Sequence, residues 1–230
     1  MGKTLYLLIP GLLGPWPEAD RPGFPCPRLP ALERLLARGE GKDTASRGLE
    51  ASLARLFGLE GGELPVAAIT RLAEGGEPDR EGWWLRADPV HLKADLHQIV
   101  LFDARHLQLR PDEAAALAAA FNRTFAGDGL ILETPHPERW YLRLAADPGI
   151  TTVTLAEAVG RDINPLLPAG PEARRWRALL TEIQMLFHLD PVNQAREAAG
   201  QPEVNSLWLW GGGRLPARLA APVAALYAAD

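Results

Sequence analysis

Apolar residues recur along this chain with two periods, and the changes of period mark the predicted elements. Residues 4–9 form a short apolar run that Pro10 ends, which predicts a buried strand. Leucines at helical spacing predict a helix over 29–36, and a second helix is predicted over 45–57, each with a glycine placed to end it. A strand followed by two helices is typical of a sheet that carries helices on its faces.

The middle of the chain contains longer periodic segments. The apolar run 83–109 predicts a hairpin or several strands, with Asp95 at the turn. Pro111 and the acids after it predict the start of a helix, and the alanine-rich sequence extends that helix through Phe125. Further strands are predicted at 129–134 and 139–144, and further helices at 172–188 and near 192–199.

The last periodic segment, residues 205–213, reads Asn-Ser-Leu-Trp-Leu-Trp-Gly-Gly-Gly. If it is a strand, Trp208 and Trp210 lie on one face, because side chains alternate between faces. The three glycines allow positive φ angles and a close approach to a neighbouring segment. Such a segment could form the aromatic wall of a binding site. By itself the pattern favours a strand that ends at a domain junction.

Composition limits the classes of function. The chain has 230 residues, of which 47% are hydrophobic and 23% charged, as in ordinary globular proteins. A net charge of −5 gives no electrostatic basis for binding nucleic acid or an anionic membrane. Cys26 is the only cysteine, which excludes an internal disulfide and a cysteine-built zinc site. Because we find neither a signal peptide nor a span long enough for a bilayer, we expect a cytoplasmic protein.

Common catalytic signatures do not fit this sequence. A phosphate-binding loop around Gly41 and Lys42 would need a glycine where Leu36 stands and a Ser or Thr where Asp43 stands. No serine lies in a Gly-x-Ser-x-Gly motif. Three histidines are spaced along the presumed strands: His91, His97 and His106. With no carboxylate cluster beside them, they are better explained as structural or surface groups than as metal ligands.

Charged side chains occur in segments that otherwise read as core. Arg86 and Asp88 lie two residues apart on one face of a predicted strand, and since buried charges need partners, they are expected to pair. Alternatively, Arg86 receives a phosphate or carboxylate in a bidentate fork. Asp190 or Asn193 is placed to cap a helix. The candidate ligand-binding residues are Arg86, Asp88, His91, Arg161, Asp162, Asn193, Arg196, Asn205, Trp208 and Trp210.

The order of these motifs resembles a known family. The string Leu85-Arg86-Ala87-Asp88, the helix from Asp112 to Asn122, and the strings 190–196 and 200–211 follow the order found in archaeal-type cofactor-independent phosphoglycerate mutases of the alkaline phosphatase superfamily. The strings 84–92 and 205–213 are more similar still to a bacterial branch of phosphoglycerate-mutase-like or regulatory proteins.

This resemblance implies an α/β fold, with part of an alkaline-phosphatase-like sheet and a smaller α/β domain that has a mixed sheet. Three segments are implied. Residues 1–62 correspond to the N-terminal strand–helix unit of the phosphatase-like domain, and residues 63–204 to the smaller, substrate-domain-like region. Residues 205–230 correspond to the Trp/Gly strand and a return segment.

The chain departs from the family at positions that carry its chemistry. In the mutases the first strand ends in Pro-Asp-Gly, whose Asp binds a catalytic metal, whereas here Pro10 is followed by Gly11. The family's phosphorylated serine corresponds to Lys42. The remaining metal ligands belong to a C-terminal half that we expect to be absent from a chain ending at Asp230. Because two-metal phosphoryl transfer needs both ions and a nucleophile, we expect no catalytic residue, no metal and no mutase turnover.

These observations give three functional hypotheses. The first is a catalytically degenerate, regulatory phosphoglycerate-mutase-like protein that binds a phosphorylated metabolite or a protein partner. The second is an active mutase or phosphatase that uses manganese or cobalt. The third is a protein-interaction module without a ligand. Arg86 and Arg161 together at one concave site would favour ligand binding, whereas pairing with Asp88 and Asp162 would favour the interaction module.

Overall fold

A computed structural model describes residue 8 and residues 28–39, 49–59, 64–75 and 80–218. The chain divides into two units, one formed by Met1–Gly62 with Ala220–Asp230 and the other by Glu63–Leu219. Apart from residue 8, the predicted strand at 4–9 lies outside the described residues, as do the departures at Gly11 and Lys42. The three segments implied by the resemblance stay a prediction.

Two helices are described in the first unit. Helix α1 spans Pro30–Arg38 and α2 spans Leu49–Leu56, in agreement with the two helices predicted from leucine spacing. Proline lies in the first turn of α1, where its missing N–H costs nothing, and the side chain of Glu33 accepts a hydrogen bond from the Leu29 N–H at 3.2 Å. The ends of α1 are therefore set by local sequence.

The second unit is built on five antiparallel strands, which confirms the α/β class together with the helices below. The strands are β1 (Trp83–Ala94), β2 (Ile99–Phe102), β3 (Ile131–His136), β4 (Arg139–Leu144) and β5 (Ser206–Gly213). Their order is β2-β1-β4-β3, and β5 also pairs with β1. All pairings between these strands are antiparallel, and the parallel component is an isolated bridge between Leu101 and Val159.

Among the described residues of this unit, six α-helices accompany the sheet. They are α3 (Val66–Ala73), α4 (Ala104–Leu107), α5 (Pro111–Phe125), α6 (Leu155–Ala158), α7 (Ala173–His188) and α8 (Pro191–Ala198). Short 3-10 turns lie at Ala126–Asp128 and Asn164–Leu166. The helices predicted near 111–125 and 172–188 and the shorter one near 192–199 are confirmed. No helix in the described ranges has the length and apolar character that crossing a bilayer requires.

The 83–109 region corrects one expectation. Its first part is the predicted hairpin, in which the Asp95 N–H donates to the Gln98 carbonyl at 2.8 Å. Its last part is helical, because the chain turns at Asp103 and closes one helical turn that ends at Gln108, where φ is 49°. Consequently two of the three histidines do not lie along strands: His97 is in the hairpin turn and His106 is on α4.

The sheet has two chemically different faces. One face, here called the apolar face, packs against α5 and α7 in the main core and consists of Leu85, Ala87, Leu132, Trp140, Leu142, Leu207 and Leu209. The opposite face, here called the polar face, carries charged and aromatic side chains, namely Trp84, Arg86, Asp88, Glu133, Tyr141, Trp208 and Trp210. Ala67 and Ala68 of α3 are fully buried beside Trp84 and Tyr141, so α3 covers part of the polar face.

Two of the three glycines of β5, Gly211 and Gly213, permit this covering. Gly211 has φ 61°, and a Cβ atom there would lie 2.9 Å from the Cβ of Val66 at the start of α3. Gly213 has φ 156°, and its Cβ would lie 2.5 Å from the Cβ of Pro65. Real Cβ atoms do not approach so closely, and positive φ is strained for other residues. The predicted use of the glycines for close approach is therefore confirmed.

Candidate functional site

Arg86 and Asp88 form a buried ion pair on the polar face. They are two residues apart on β1, so the strand places both side chains on the same side of the sheet. The guanidinium donates to Asp88 Oδ1 through Nε at 3.1 Å and also through Nη2. Asp88 is fully buried and Arg86 is 7% exposed. The pairing expected from the sequence is present.

Further donors saturate the Asp88 carboxylate. The indole N–H of Trp210 donates to Oδ2 at 2.7 Å, and the backbone N–H of Trp140 donates to Oδ1 at 3.4 Å. Burial raises the pKa of Asp88, while the charge of Arg86 and the hydrogen bonds from Arg86 and Trp210 act in the opposite sense. The carboxylate is held by neighbours on three strands.

Two aromatic rings flank the Arg86 guanidinium. Its Cζ atom lies 5.1 Å from the ring centroid of Tyr141 and 5.4 Å from that of Trp210. At these distances the ring faces attract a cation. We call Arg86, Asp88, Tyr141 and Trp210 the Arg86 cluster. Within it, the positive charge is neutralised by a carboxylate and enclosed by aromatic surfaces.

A second layer of charge pairs lies at the margin of the polar face. Arg139 Nε donates to Glu74 Oε1 at 2.5 Å, and Arg71 Nε donates to Glu133 Oε2 at 2.7 Å. The hydrogen bond from Arg139 lowers the pKa of Glu74. Burial raises the pKa of Tyr141, whose hydroxyl lies 3.5 Å from Glu74 Oε1. Arg71 and Arg139 thus have carboxylate partners too.

Arg196 makes a separate set of internal contacts. It donates to Glu113 Oε2 at 3.0 Å and to the carbonyls of Pro202 at 2.9 Å and Leu107 at 2.5 Å. Both members of the ion pair are buried. Arg196 therefore joins α8 to the start of α5 and to the end of α4.

Asn193 has an equally structural role. Its amide nitrogen donates to the carbonyls of Phe187 at 2.9 Å and Val204 at 2.8 Å, and its amide oxygen accepts from the Val204 N–H at 3.0 Å. The capping role left open between Asp190 and Asn193 belongs to Asp190, whose Oδ1 accepts from the Val192 N–H at 2.9 Å.

Asn205 and His91 fasten the chain that leads into β5. The Asn205 side chain accepts from the Leu92 N–H at 2.7 Å and donates to the Leu92 carbonyl at 2.9 Å, which imitates one strand pairing. His91 Nδ1 lies 2.9 Å from the carbonyl of Glu203. These contacts hold the residues before β5 against the end of β1.

Arg161 and Asp162 do not pair with each other. Asp162 Oδ1 accepts from the Ile99 N–H at 3.2 Å and from the Asn164 side chain at 2.8 Å. Arg161 is exposed and donates to the Glu157 carbonyl at 3.1 Å. Within the described part of the chain, no hydrogen bond or ion pair joins either residue to the Arg86 cluster. The ten predicted residues therefore lie in several local clusters rather than in one site.

The sequence reasoning missed a cleft of about 520 Å³ beside α7. We call it the α7 cleft. The helix lines it with Arg177, Thr181, Gln184 and His188, which share one helical face because they lie four, seven and eleven residues apart. Leu92, Ile163, Leu167, Leu180, Leu207 and Trp208 supply its apolar lining, and Asn164, Glu203 and Asn205 add polar groups. The polar stripe on α7 is the signal by which the sequence could have indicated it.

The size of the α7 cleft is in the usual range for small-molecule sites, about 300–1,000 Å³. Two predicted residues line it: Asn205, and Trp208, whose indole N–H donates to the Val153 carbonyl at 2.9 Å. Among the described residues, no group of three or more His, Cys, Asp or Glu side chains is arranged to hold a metal ion.

Comparison with known proteins gives short but consistent matches. No family model matches the chain. A segment of 60 residues is 33% identical to the 2,3-bisphosphoglycerate-independent phosphoglycerate mutase of Methanosarcina barkeri, covering 26% of this chain and 15% of that protein. A segment of 68 residues is 34% identical to a probable mutase of the same name from Geobacter sulfurreducens, covering 30% of this chain and 17% of that protein. The matched segments thus span less than a fifth of these relatives.

Among solved structures, the chain is similar to the cofactor-independent phosphoglycerate mutase of Thermoplasma acidophilum. The TM-score is 0.48 at 18% identity, and the alignment covers 66% of this chain and 42% of that one. The sequence matches agree with the resemblance carried by the motifs around Arg86 and Trp210. Over part of its length, this chain is therefore similar to cofactor-independent phosphoglycerate mutases.

Proposed function

We propose that this protein is a regulatory member of the phosphoglycerate-mutase-like group that acts by binding a protein partner, without mutase turnover. One observation carries the proposal: Arg86, the cation best placed by sequence to receive a phosphate, is already paired with Asp88 and enclosed by Tyr141 and Trp210. This pairing is the arrangement expected of an interaction module rather than of a phosphate site.

The free energy of replacing Asp88 by a phosphate as the partner of Arg86 supports the absence of a phosphate site. A phosphate that took Arg86 from Asp88 would leave a fully buried carboxylate without its cation, and breaking a buried pair costs about 3–5 kcal/mol. Hydrogen bonds to a charged group contribute about 1.5–3 kcal/mol each. Two such bonds to a phosphate would be largely offset by the broken pair, so Arg86 offers little net affinity for a phosphorylated ligand.

Two departures in the sequence support the absence of turnover. Gly11 follows Pro10 at the position where the related mutases are expected to have a metal-binding Asp. Lys42 stands in place of the nucleophilic serine and has no hydroxyl to accept a phosphoryl group. Without these two groups, the charge of a transferring phosphoryl group would lack both its metal and its acceptor.

An active, manganese- or cobalt-dependent mutase or phosphatase is the second candidate, because the matched relatives are named as mutases. A third candidate shares features of both: the protein binds a phosphorylated metabolite but does not turn it over. In both alternatives a phosphate must bind a cation, and at Arg86, Arg71 or Arg139 it would have to displace a carboxylate first.

The test is an assay of 3-phosphoglycerate turnover with added manganese or cobalt, run beside calorimetric titration with 3-phosphoglycerate. We expect neither turnover above the metal blank nor heat of binding. Metal-dependent turnover that Arg86→Ala abolishes, and that Arg123→Ala on the exposed side of α5 leaves intact, would overturn the proposal. Binding without turnover would replace the protein partner by a phosphorylated metabolite.

A further inference from the structure

The α7 cleft has an asymmetric distribution of charge. Arg177 lies near the start of α7 and His188 at its end, and eleven residues of helix separate them by about 16 Å. Asn193 bonds to the carbonyls of both Phe187 and Val204, which places Glu203 near the His188 end. The cleft therefore has a cation at one end and a carboxylate towards the other.

Arg177 differs from the buried arginines because no carboxylate of the described residues forms an ion pair with it. Its one hydrogen bond among the described residues runs from Nε to the Pro168 carbonyl at 3.0 Å. That bond holds the guanidinium at the cleft while its Nη atoms remain available as donors. Arg86 and Arg196, by contrast, are paired with Asp88 and Glu113. The fixed, unneutralised fork of Arg177 suits an anionic group.

The lining between the two ends is mainly apolar. The half-buried Leu92, Ile99 and Leu167 lie along it, beside the buried Ile163, Leu180, Leu207 and Trp208. Burying apolar surface stabilises a complex by about 25 cal/mol for each Å² removed from water. A ligand that is polar throughout, such as a phosphoglycerate, has no apolar part to cover this surface and would not gain that stabilisation. The lining therefore favours a ligand with an apolar body.

From these features we propose that the α7 cleft binds a small organic monoanion with an apolar body, whose anionic group pairs with Arg177. The apolar body lies along the leucines and Trp208, and Gln184 can bond to a polar substituent at the middle of the cleft. Glu203 repels a second negative charge at the far end. This site is separate from the Arg86 cluster and does not depend on the proposed partner function.

The proposal is tested with octanoate, suberate and octanol, which share an eight-carbon chain and carry one, two and no carboxylates. In calorimetric titrations of the full chain we expect one molecule of octanoate per protein, with suberate and octanol at least 10-fold weaker. In two-dimensional NMR spectra the indole N–H resonance of Trp208 should shift with octanoate saturation, because that side chain lines the cleft.

Variants on one helix separate a specific site from general charge attraction. Arg177→Gln should weaken octanoate at least 10-fold, whereas Arg175→Gln, an exposed residue of α7 that does not line the cleft, should leave the affinity unchanged. Glu203→Gln should raise the affinity for suberate more than the affinity for octanoate. No octanoate binding by the wild-type protein, or equal binding by the two arginine variants at unchanged melting temperature, would overturn the proposal.

Discussion

The two faces of the central sheet reach stability by different means. On the apolar face, Leu142 and its neighbours pack against Ile183 and Phe187 of α7 and Phe121 of α5, so the stabilisation is divided among many small contacts. On the polar face, Arg86 and Asp88 neutralise each other in near-complete burial. The apolar face should tolerate gradual change, whereas the polar face depends on both charges being present together.

The difference also distinguishes charged residues that have a structural role from those that can bind a ligand. A buried charge that is fully partnered has no capacity left for a ligand, although its residue type resembles a binding residue in the sequence. Arg86 and Arg196 are both of this kind. Arg177, which sequence reasoning did not select, is held by a single backbone carbonyl and is the better ligand candidate.

The largest effect is expected from Asp88→Asn, which keeps the shape of the side chain and removes its charge. The buried guanidinium of Arg86 is then unpaired, and the free energy of unfolding should fall by about 3–5 kcal/mol in urea titrations. The exposed pair of Arg110 and Asp112 provides the control, because water screens that pair and Asp112→Asn should have a much smaller effect on the free energy of unfolding. Equal losses in the two variants would contradict the difference between buried and exposed pairs.

Replacing both charges sharpens the same test. Arg86→Met combined with Asp88→Asn removes both charges and keeps an amide oxygen that can accept from the Trp210 or Trp140 N–H, so part of the stability lost in Asp88→Asn alone should return. A double variant as unstable as the single one would show that packing, rather than unpaired charge, explains the loss.

A smaller effect is expected on the apolar face. Ile183→Val removes one methylene group from a fully buried side chain of α7 and should lower the free energy of unfolding by about 0.5–1.5 kcal/mol. The measurement is the same urea titration. A loss as large as that of Asp88→Asn would mean that the apolar face also depends on single contacts.

The smallest effect concerns the margin of the polar face and depends on pH. Because Arg139 lowers the pKa of Glu74 below its ordinary value of 4.5, the pair stabilises the folded state above that pH and loses its contribution as the pH falls below it. Glu74→Gln should therefore cost less than about 1 kcal/mol at pH 7, since Arg139 is partly exposed, and less at pH 3 than at pH 7. An undiminished difference at pH 3 would exclude an electrostatic origin.

Much of the fold could be predicted because its signals are local. Pro111 and the acids after it indicated the start of α5, a capping residue at Asp190 or Asn193 indicated that of α8, and alternation placed Trp208 and Trp210 on one face of β5. The separation of Arg86 and Asp88 by two residues was enough to predict their pairing, since a strand of period two brings them together.

The features that could not be predicted depend on distant parts of the chain. The one-turn helix α4 is too short to show a helical period. The α7 cleft combines Leu92, Asn164 and Trp208 with one face of α7, and nothing in any one of these segments reveals the others. Likewise, Arg196 pairs with Glu113 across 83 positions of sequence, so its structural role was not visible beside its neighbours.

The central claim is that the Arg86 charge is neutralised inside the protein and does not receive a phosphate. The most direct measurement follows the NMR resonance of the Trp210 indole N–H, which donates to Asp88 Oδ2. The protein is titrated with 3-phosphoglycerate in a buffer that contains magnesium and no manganese. The account predicts a resonance that does not move at millimolar ligand. A saturable shift that disappears in Arg86→Ala would contradict it.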